Sequence, residues 1–293
     1  YHADPCPAPS LSCSLARVLI DRSPLHAWFM HPRLNTKQEP EEFSTIMAVG
    51  SAIHRLMLGR GKEVVEIDAD DYRTKAAKEQ RDAALAEGFV PILPHQSDRV
   101  TRVVRAARAQ LTGDPAQIGV DGAGMAEVTV AVQDASGVWA RIMVDWWSNA
   151  DPPVLYDYKS TQASCAPQSI AQQIARMDYA FQAAFYERVA CTLDPSLDGR
   201  VAFRFVMQEV VEPPFGIVVA EMSEADITVA RHRVAAAFAL WKQCTESNAW
   251  PCYPPGVVRV QLPPYASNAW LERELMASED SSGVSDWILA GRS

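Results

Sequence analysis

Positive charge is in short supply in this sequence: 27 lysines and arginines against 36 aspartates and glutamates leave a formal net charge of −9. That balance argues against a protein that coats nucleic acid non-specifically through a basic exterior, while leaving room for a local basic lining. Long apolar runs are also missing. The longest, VAAAFALW at 234–241, falls far short of the roughly 20 residues a membrane helix needs, so no membrane span is expected. The first residues, YHADPCPAPS, lack the basic-then-apolar pattern of a secretory leader, and a cytoplasmic protein is expected. Cysteine is sparse and scattered. Cys6, Cys13, Cys165, Cys191, Cys244 and Cys252 form no CxxC pair, which argues for packed, reduced thiols and against a disulfide framework, a zinc ribbon or an iron–sulfur site. There is no internal repeat and no low-complexity linker. What is present, 293 residues with 48% hydrophobic content, suits a soluble globular chain with one core.

Hydrophobic periodicity divides the chain. A short helix begun by Ser10 or Ser12 and stopped near Ser23-Pro24 is predicted, then an aromatic-containing second turn. FSTIMAVGSAIHRLMLG reads as a helix with Ile46, Val49, Ile53 and Leu56 at helical spacing and Gly59 as its stop. Residues 70–88 read as a solvated, charged helix ended by Gly88, and a further helix covers 96–111 before the break GDPAQIGVDGAG. The period then changes from 3.6 to 2. Residues 126–133, 138–147 and 154–160 read as three strands of an antiparallel meander, joined by DASG and SNADPP. One long helix is predicted over 168–191, two more strands flank the Glu-Pro-Pro turn at 212–214, and an amphipathic helix runs from about Glu224 to Glu246. The expectation is one domain over 1–293: a helical part at about 10–112, a core at about 113–277, and a loose tail at 278–293.

Charged residues inside the meander need a reason, because burying a lone charge costs several kcal/mol or neutralises it. In the second strand Val138, Ala140, Ile142, Val144 and Trp146 share an apolar face, leaving Arg141 and Asp145 on the other. In the third, Leu155, Asp157 and Lys159 share a face. A register symmetric about Asp151 sets Asp145 opposite Asp157, within the roughly 5 Å of a cross-strand pair. Glu127, on the less hydrophobic side of the first strand, adds a third acid. Carboxylates crowded in this way share a proton or bind a divalent cation. Oxygen ligands with one imidazole, here His54, suit Mg²⁺ or Mn²⁺ better than zinc. Lys159 beside them would be a point charge able to act on an attacking water or on a phosphorane-like transition state. Each residue also has a plainer reading: a cross-strand ion pair for Asp157 and Lys159, a packed histidine, a solvated Glu127, and helix packing for Gln182 and Tyr186 at i, i+4.

In their order, GSAIH (50–54), Glu127, Asp145, DYKST (157–161) and QAAFY (182–186) resemble the RecB-type branch of the PD-(D/E)XK nucleases, and most of all the phage and prophage RecE-type exonuclease VIII catalytic domain. The resemblance runs from SLSCSLARVLIDRSPLHAW through TKAAKEQRDAALAEG to WPCYPPG; VDWW stands where a Pro-Asp signature is found in other branches. It implies an α/β fold with a central mixed β-sheet flanked by helices, the restriction-endonuclease-like nuclease core. It implies that His54, Asp145 and Asp157 ligate the metal, with the Tyr158 carbonyl as a further ligand. Lys159 would be the catalytic lysine, and Glu127 would assist a second metal or orient water. Gln182 and Tyr186 would position the DNA backbone and the lysine region, and Arg141, on the Asp145 face, joins them as a candidate substrate contact. Cys244 and Cys252 do not match the clustered cysteines of the iron–sulfur relatives, so no cluster is expected. The implied activity is a Mg²⁺-dependent exodeoxyribonuclease that digests linear double-stranded DNA 5′ to 3′ and leaves 3′ tails for a single-strand annealing partner. Mn²⁺ would substitute, and Ca²⁺ would bind without supporting turnover. A homo-oligomeric ring, a tetramer, in a bacterial cytoplasm and of phage or prophage origin completes the implied picture. An endonuclease or single-strand nuclease of the same fold, or a non-catalytic DNA-binding scaffold, are the alternatives.

Overall fold

Short polar residues start the first helices. Ser12, Ser23, Ser44 and Thr74 each accept the backbone N–H three residues on, opening α1 (Cys13–Asp21), α2 (Pro24–Met30), α3 (Thr45–Leu58) and α4 (Lys75–Ala86). The structure is a computed structural model that describes residues 1–37, 42–113, 118–119 and 122–279. Helix α4 starts later than its charge pattern predicts, because the Asp71 carboxylate accepts the Arg73 N–H at 2.7 Å and turns the chain before Thr74 caps it. Helix α3 ends where expected, at Gly59 with φ 72°. Its buried stripe is not the expected one: Ile46 and Leu56 are exposed, while Ala48, Ala52, Ile53, Met57 and Leu58 are buried. Small residues face the sheet, which lets the α3 backbone come close to it.

The strands are β1 (Leu11–Ser12), β2 (Val64–Glu66), β3 (Val90–Ile92), β4 (Gly124–Gln133), β5 (Trp139–Ser148), β6 (Val154–Thr161), β7 (Ala202–Glu209) and β8 (Ile217–Glu221). A mixed six-stranded sheet runs β1-β5-β6-β7-β8, with β4 also paired to β5; β2 and β3 form a separate parallel pair. The β4–β5–β6 meander is antiparallel as predicted, and its second hairpin has the register symmetric about Asp151, with Trp146 opposite Tyr156 and Trp147 opposite Leu155. The remaining helices are α5 (Pro94–Leu111), α6 (Pro167–Met177), α7 (Tyr179–Leu193) and α8 (Glu224–Ser247). The expected architecture, an α/β fold with a central mixed sheet flanked by helices, is what the structure has.

Two apolar layers cover the two sheet faces. Ala140, Ile142, Val144, Leu155, Phe203, Phe205 and Met207 pack with α1, α7 and α8, while Trp146, Tyr156, Tyr158 and Val206 pack with α3 and α5. Trp146 therefore does not share a face with Val144, as strict alternation predicts. The pleat reverses between Val128↔Val144 and Ala126↔Trp146, at the one position of β4, Glu127, whose φ is 52°. The predicted helix over 168–191 is likewise two helices. Asp178 sits in the left-handed region, where Arg233 holds its carboxylate with contacts of 2.6 and 2.9 Å and Arg17 donates to the Met177 carbonyl at 2.6 Å.

The chain divides into two compact units, Tyr1–Cys252 and Tyr253–Ser293. The second unit contains α9 (Pro264–Glu279), and the tail from 280 lies outside the described residues. All six cysteines are free thiols. No helix among the described residues is long and apolar enough to cross a membrane.

Candidate active site at a strand fork

One edge of β5 is shared. Ala140 and Arg141 pair with β1, Trp146 and Trp147 pair with β6, and Asp145 lies in the gap. The β5–β6 ladder stops at Trp146↔Tyr156, one step before Asp145 and Asp157 would face each other. There the Asp145 carboxylate takes the place of a backbone acceptor: its Oδ2 accepts the Tyr158 N–H at 2.9 Å. The two acids thus sit at the mouth of a fork, both largely buried.

Helix α3 brings His54 to this fork. Its Nε2 is 3.2 Å from Asp145 Oδ2 and its Nδ1 is 3.7 Å from Glu127 Oε1. Glu127 is delivered by the same left-handed kink that reverses the pleat, and Gly61 packs so closely that a Cβ there would lie 3.1 Å from Glu127 Oε1. Gly50, one turn before His54, faces β6, and a Cβ at that position would stand 3.4 Å from Ser160 Oγ. An alanine would just touch; a longer side chain would push α3 and His54 away. Burial alone favours a neutral His54, but the Asp145 hydrogen bond and the charges of Asp145, Glu127 and Asp157 outweigh it and raise its pKa.

Asp157 and Lys159 lie on the opposite prong. Lys159 Nζ is 2.6 Å from Asp157 Oδ2, and Gln182 Nε2, from α7, donates to Asp157 Oδ1 at 2.5 Å. Burial, opposed by Lys159 and reinforced by Asp145, holds the Asp157 carboxyl above the usual range. For Lys159 burial works against the charge, yet Asp157 and Asp145 more than compensate and raise its pKa, so the ammonium form is held. Tyr179, which sequence reasoning missed, places its ring 5.2 Å from Lys159 Nζ and stacks on Phe205 at 4.8 Å, beside Asp157 in the β6–β7 register. No local pattern marks Tyr179, because its placement follows from the break at Asp178.

Three further expected site residues are held inside the protein by bonds of their own. Arg141 is 3% exposed: its Nη1 donates to Ser10 O at 2.8 Å and Ser10 Oγ at 2.5 Å and lies 3.3 Å from the buried Asp4 carboxylate. It clamps the segment before β1. Tyr186 spends its hydroxyl on the Met143 carbonyl at 3.0 Å, tying α7 to β5, and Gln182 spends its amide on Asp157. Both point inward and hold the fork in shape. The Tyr158 ring is buried with its hydroxyl donated to Gln208 Oε1, while its backbone lies at the fork.

Four side chains of the right donor types for a hard divalent cation therefore gather here: His54, Glu127, Asp145 and Asp157. Among the described residues no three such side chains stand ready to hold one ion. His54 and Lys159 occupy the carboxylate oxygens and supply the positive charge. The fit shows in one atom. Asp157 Oδ2 is buried and faces the Lys159 ammonium at 2.6 Å, an anionic oxygen that a divalent cation would share with that lysine. A cavity of about 940 Å³ lies elsewhere; it is lined by Glu187, Arg188, Cys191, Glu221 and Arg231 among others, and by none of the fork residues.

No protein-family model matches the chain, and no protein of curated function does. Among solved structures, the chain is similar to a Eubacterium rectale protein described as a "putative exonuclease", with TM-score 0.52 and 11% identity over 87% of this chain and 91% of that one. At that identity the likeness establishes the fold. A second solved structure, SSO0001, aligns with TM-score 0.26 and 12% identity over 66% of this chain and 85% of that one, a score too low to bear on it.

Proposed function

We propose that the protein is a metal-dependent exodeoxyribonuclease of the RecE type that digests linear double-stranded DNA 5′ to 3′. The observation that carries this is the fork, where two largely buried carboxylates, Asp145 and Asp157, meet Lys159 and His54. Mg²⁺ would be held by His54, Asp145 and Asp157, with the Tyr158 carbonyl adding a ligand and Glu127 serving a second ion or the water. When bound, such an ion polarises the phosphodiester and lowers the pKa of an attacking water. The chain's own residues do the rest. Gln182 fixes the Asp157 carboxylate through Oδ1, and Tyr186 fixes β5 from the other side, so the fork keeps its width. Lys159, kept cationic by Asp157 and Asp145, presents a compact positive charge where negative charge develops on the phosphorus oxygens. Products with 3′ tails would suit a single-strand annealing partner, and a homo-oligomeric ring, a tetramer, would confine digestion to DNA ends.

The test is digestion of a linear duplex labelled at each strand's 5′ and 3′ ends, with and without Mg²⁺. Loss of 5′ label before 3′ label, in Mg²⁺ or Mn²⁺ but not in Ca²⁺ alone, is the expected result. Asp145→Asn and Asp157→Asn should abolish it. Lys159→Ala should slow single turnover on the order of 10² to 10³-fold, the range seen when one preorganised electrostatic group is deleted, with Mn²⁺ affinity retained. Equal degradation by the parent and the two Asn variants would overturn the site, and rapid cutting of closed circles would make the protein an endonuclease.

A further inference from the structure

We propose that the solvent face of α5 is a second contact surface for duplex DNA, gripping the phosphate backbone through Arg99, Arg102 and Arg105; this rests on the nuclease reading of the fork. Gln96, Val100, Val103, Val104, Ala107 and Leu111 fill the buried half of α5. At about 100° per residue, arginines three apart then fan across the exposed half. All three are exposed, and Asp98 is the one acid on the helix.

Pairing sets these arginines apart from most others in the chain. Arg55, Arg188, Arg200, Arg204, Arg231 and Arg233 each sit within ion-pair range of a carboxylate. Among the described residues Arg99, Arg102 and Arg105 pair with none, in a chain whose net charge is −9. A surface so rich in acids that still leaves three successive guanidinium groups unopposed is complementary to a polyanion. From Arg99 to Arg105 the helix rises about 9 Å, a span that covers about three steps of 3.4 Å along one DNA strand. A guanidinium also matches a phosphate in two-point geometry.

The helix is joined to the fork by a buried chain of hydrogen bonds that the chemistry of the fork does not otherwise use. Gln208, fully buried, donates to the Val103 carbonyl of α5 at 3.0 Å and accepts from the Tyr158 hydroxyl. The Tyr158 N–H in turn donates to Asp145. At the other end of α5, Arg108 donates to the Leu56 carbonyl of α3 at 2.9 Å, two residues from His54. A satisfied buried network of this kind holds its members in one arrangement, so the arginine face keeps a constant distance from the scissile position.

The test replaces the three exposed arginines in the full chain, Arg99→Gln with Arg102→Gln and Arg105→Gln, and measures labelled-duplex binding in EDTA across a salt series. Binding should weaken for every DNA sequence, and the slope of log affinity against log salt should shrink by about 2 to 3, at roughly 0.9 per lost phosphate contact. A charge-matched control at and just before the start of α4, Arg73→Gln with Lys75→Gln and Lys78→Gln, should change the slope by less than about one. An unchanged slope in the α5 variant, or an equal change in both variants, overturns the surface. So does parental duplex binding combined with lost binding to poly-glutamate, which would make an acidic protein its partner. The titration is independent of hydrolysis. A parent that degrades DNA while the α5 variant keeps the parental slope refutes the surface alone, and undiminished degradation by the Asp145→Asn protein refutes the fork alone.

Discussion

Replacing Arg141 with methionine separates two readings of the same residue. If the guanidinium reaches DNA, the variant loses affinity and keeps its stability. If it is the clamp seen in the structure, the reverse holds. The side chains of Arg141 and Asp4 are 4% and 0% exposed, and their closest atoms are 3.3 Å apart. Breaking a buried ion pair by removing one partner costs about 3–5 kcal/mol, because the other charge is stranded. Asp4 is not left wholly alone: its carboxylate still accepts from Ser10 Oγ at 2.6 Å and Ser10 N at 3.0 Å, and His31 Nε2 remains at 3.2 Å. The remaining donors lower the expected loss to about 2–3 kcal/mol, including the two hydrogen bonds to Ser10. Urea unfolding followed by tryptophan fluorescence reads this as a lower midpoint at unchanged slope. Adding Asp4→Asn to Arg141→Met should cost less than the sum of the single changes, because the stranded charge is gone. A loss below about 0.5 kcal/mol, together with weaker duplex binding by the folded variant, would refute the clamp and restore Arg141 as a substrate contact.

Two of the three perturbed histidines, His31 and His54, should titrate in opposite directions. Burial lowers the His31 pKa despite the pull of Asp4, so its contribution to stability is lost as pH falls below the ordinary 6.5; His54 is raised, so its contribution is complete below 6.5 and is lost as pH rises through its folded value. Histidine NMR titration of metal-free protein checks both, and a common midpoint for the two rings would refute the assignment. Gln182→Leu leaves Asp157 Oδ1 buried without a donor and should cost about 1–3 kcal/mol while moving the acid limb of the pH–rate profile upward. An unshifted limb with parental stability would mean that Gln182 does not hold the carboxylate.

Much of the fold was legible because it is local. Alternation and turn chemistry located the meander, and the SNADPP turn was enough to infer the register symmetric about Asp151, whose ladder stops one step short of Asp145 and Asp157. The missed elements depend on distant residues or are too short to carry a period. β1, β2 and β3 are two or three residues each. The helix break at Asp178 depends on Arg233, and with it goes the placement of Tyr179 over Lys159. The α3 stripe was misplaced because close approach favours alanine over isoleucine, a preference that hydrophobicity counts do not register.

The limit of sequence reasoning is clearest on β5 itself. Arg141 and Asp145 lie four residues apart on a buried strand, and the same argument applies to both: a charge in such a place needs a partner. That argument holds for each and cannot tell them apart. Arg141 finds Asp4 and Ser10, where β1 covers the strand edge, and its charge is consumed in holding the chain together. Asp145 falls in the stretch between β1 and β6 where no strand covers that edge, so its partners are a backbone N–H and a histidine from another layer. What gives the two charges such different partners is the gap in the sheet. A gap of that kind arises from where two non-adjacent strands end, and the residues that line it do not encode it.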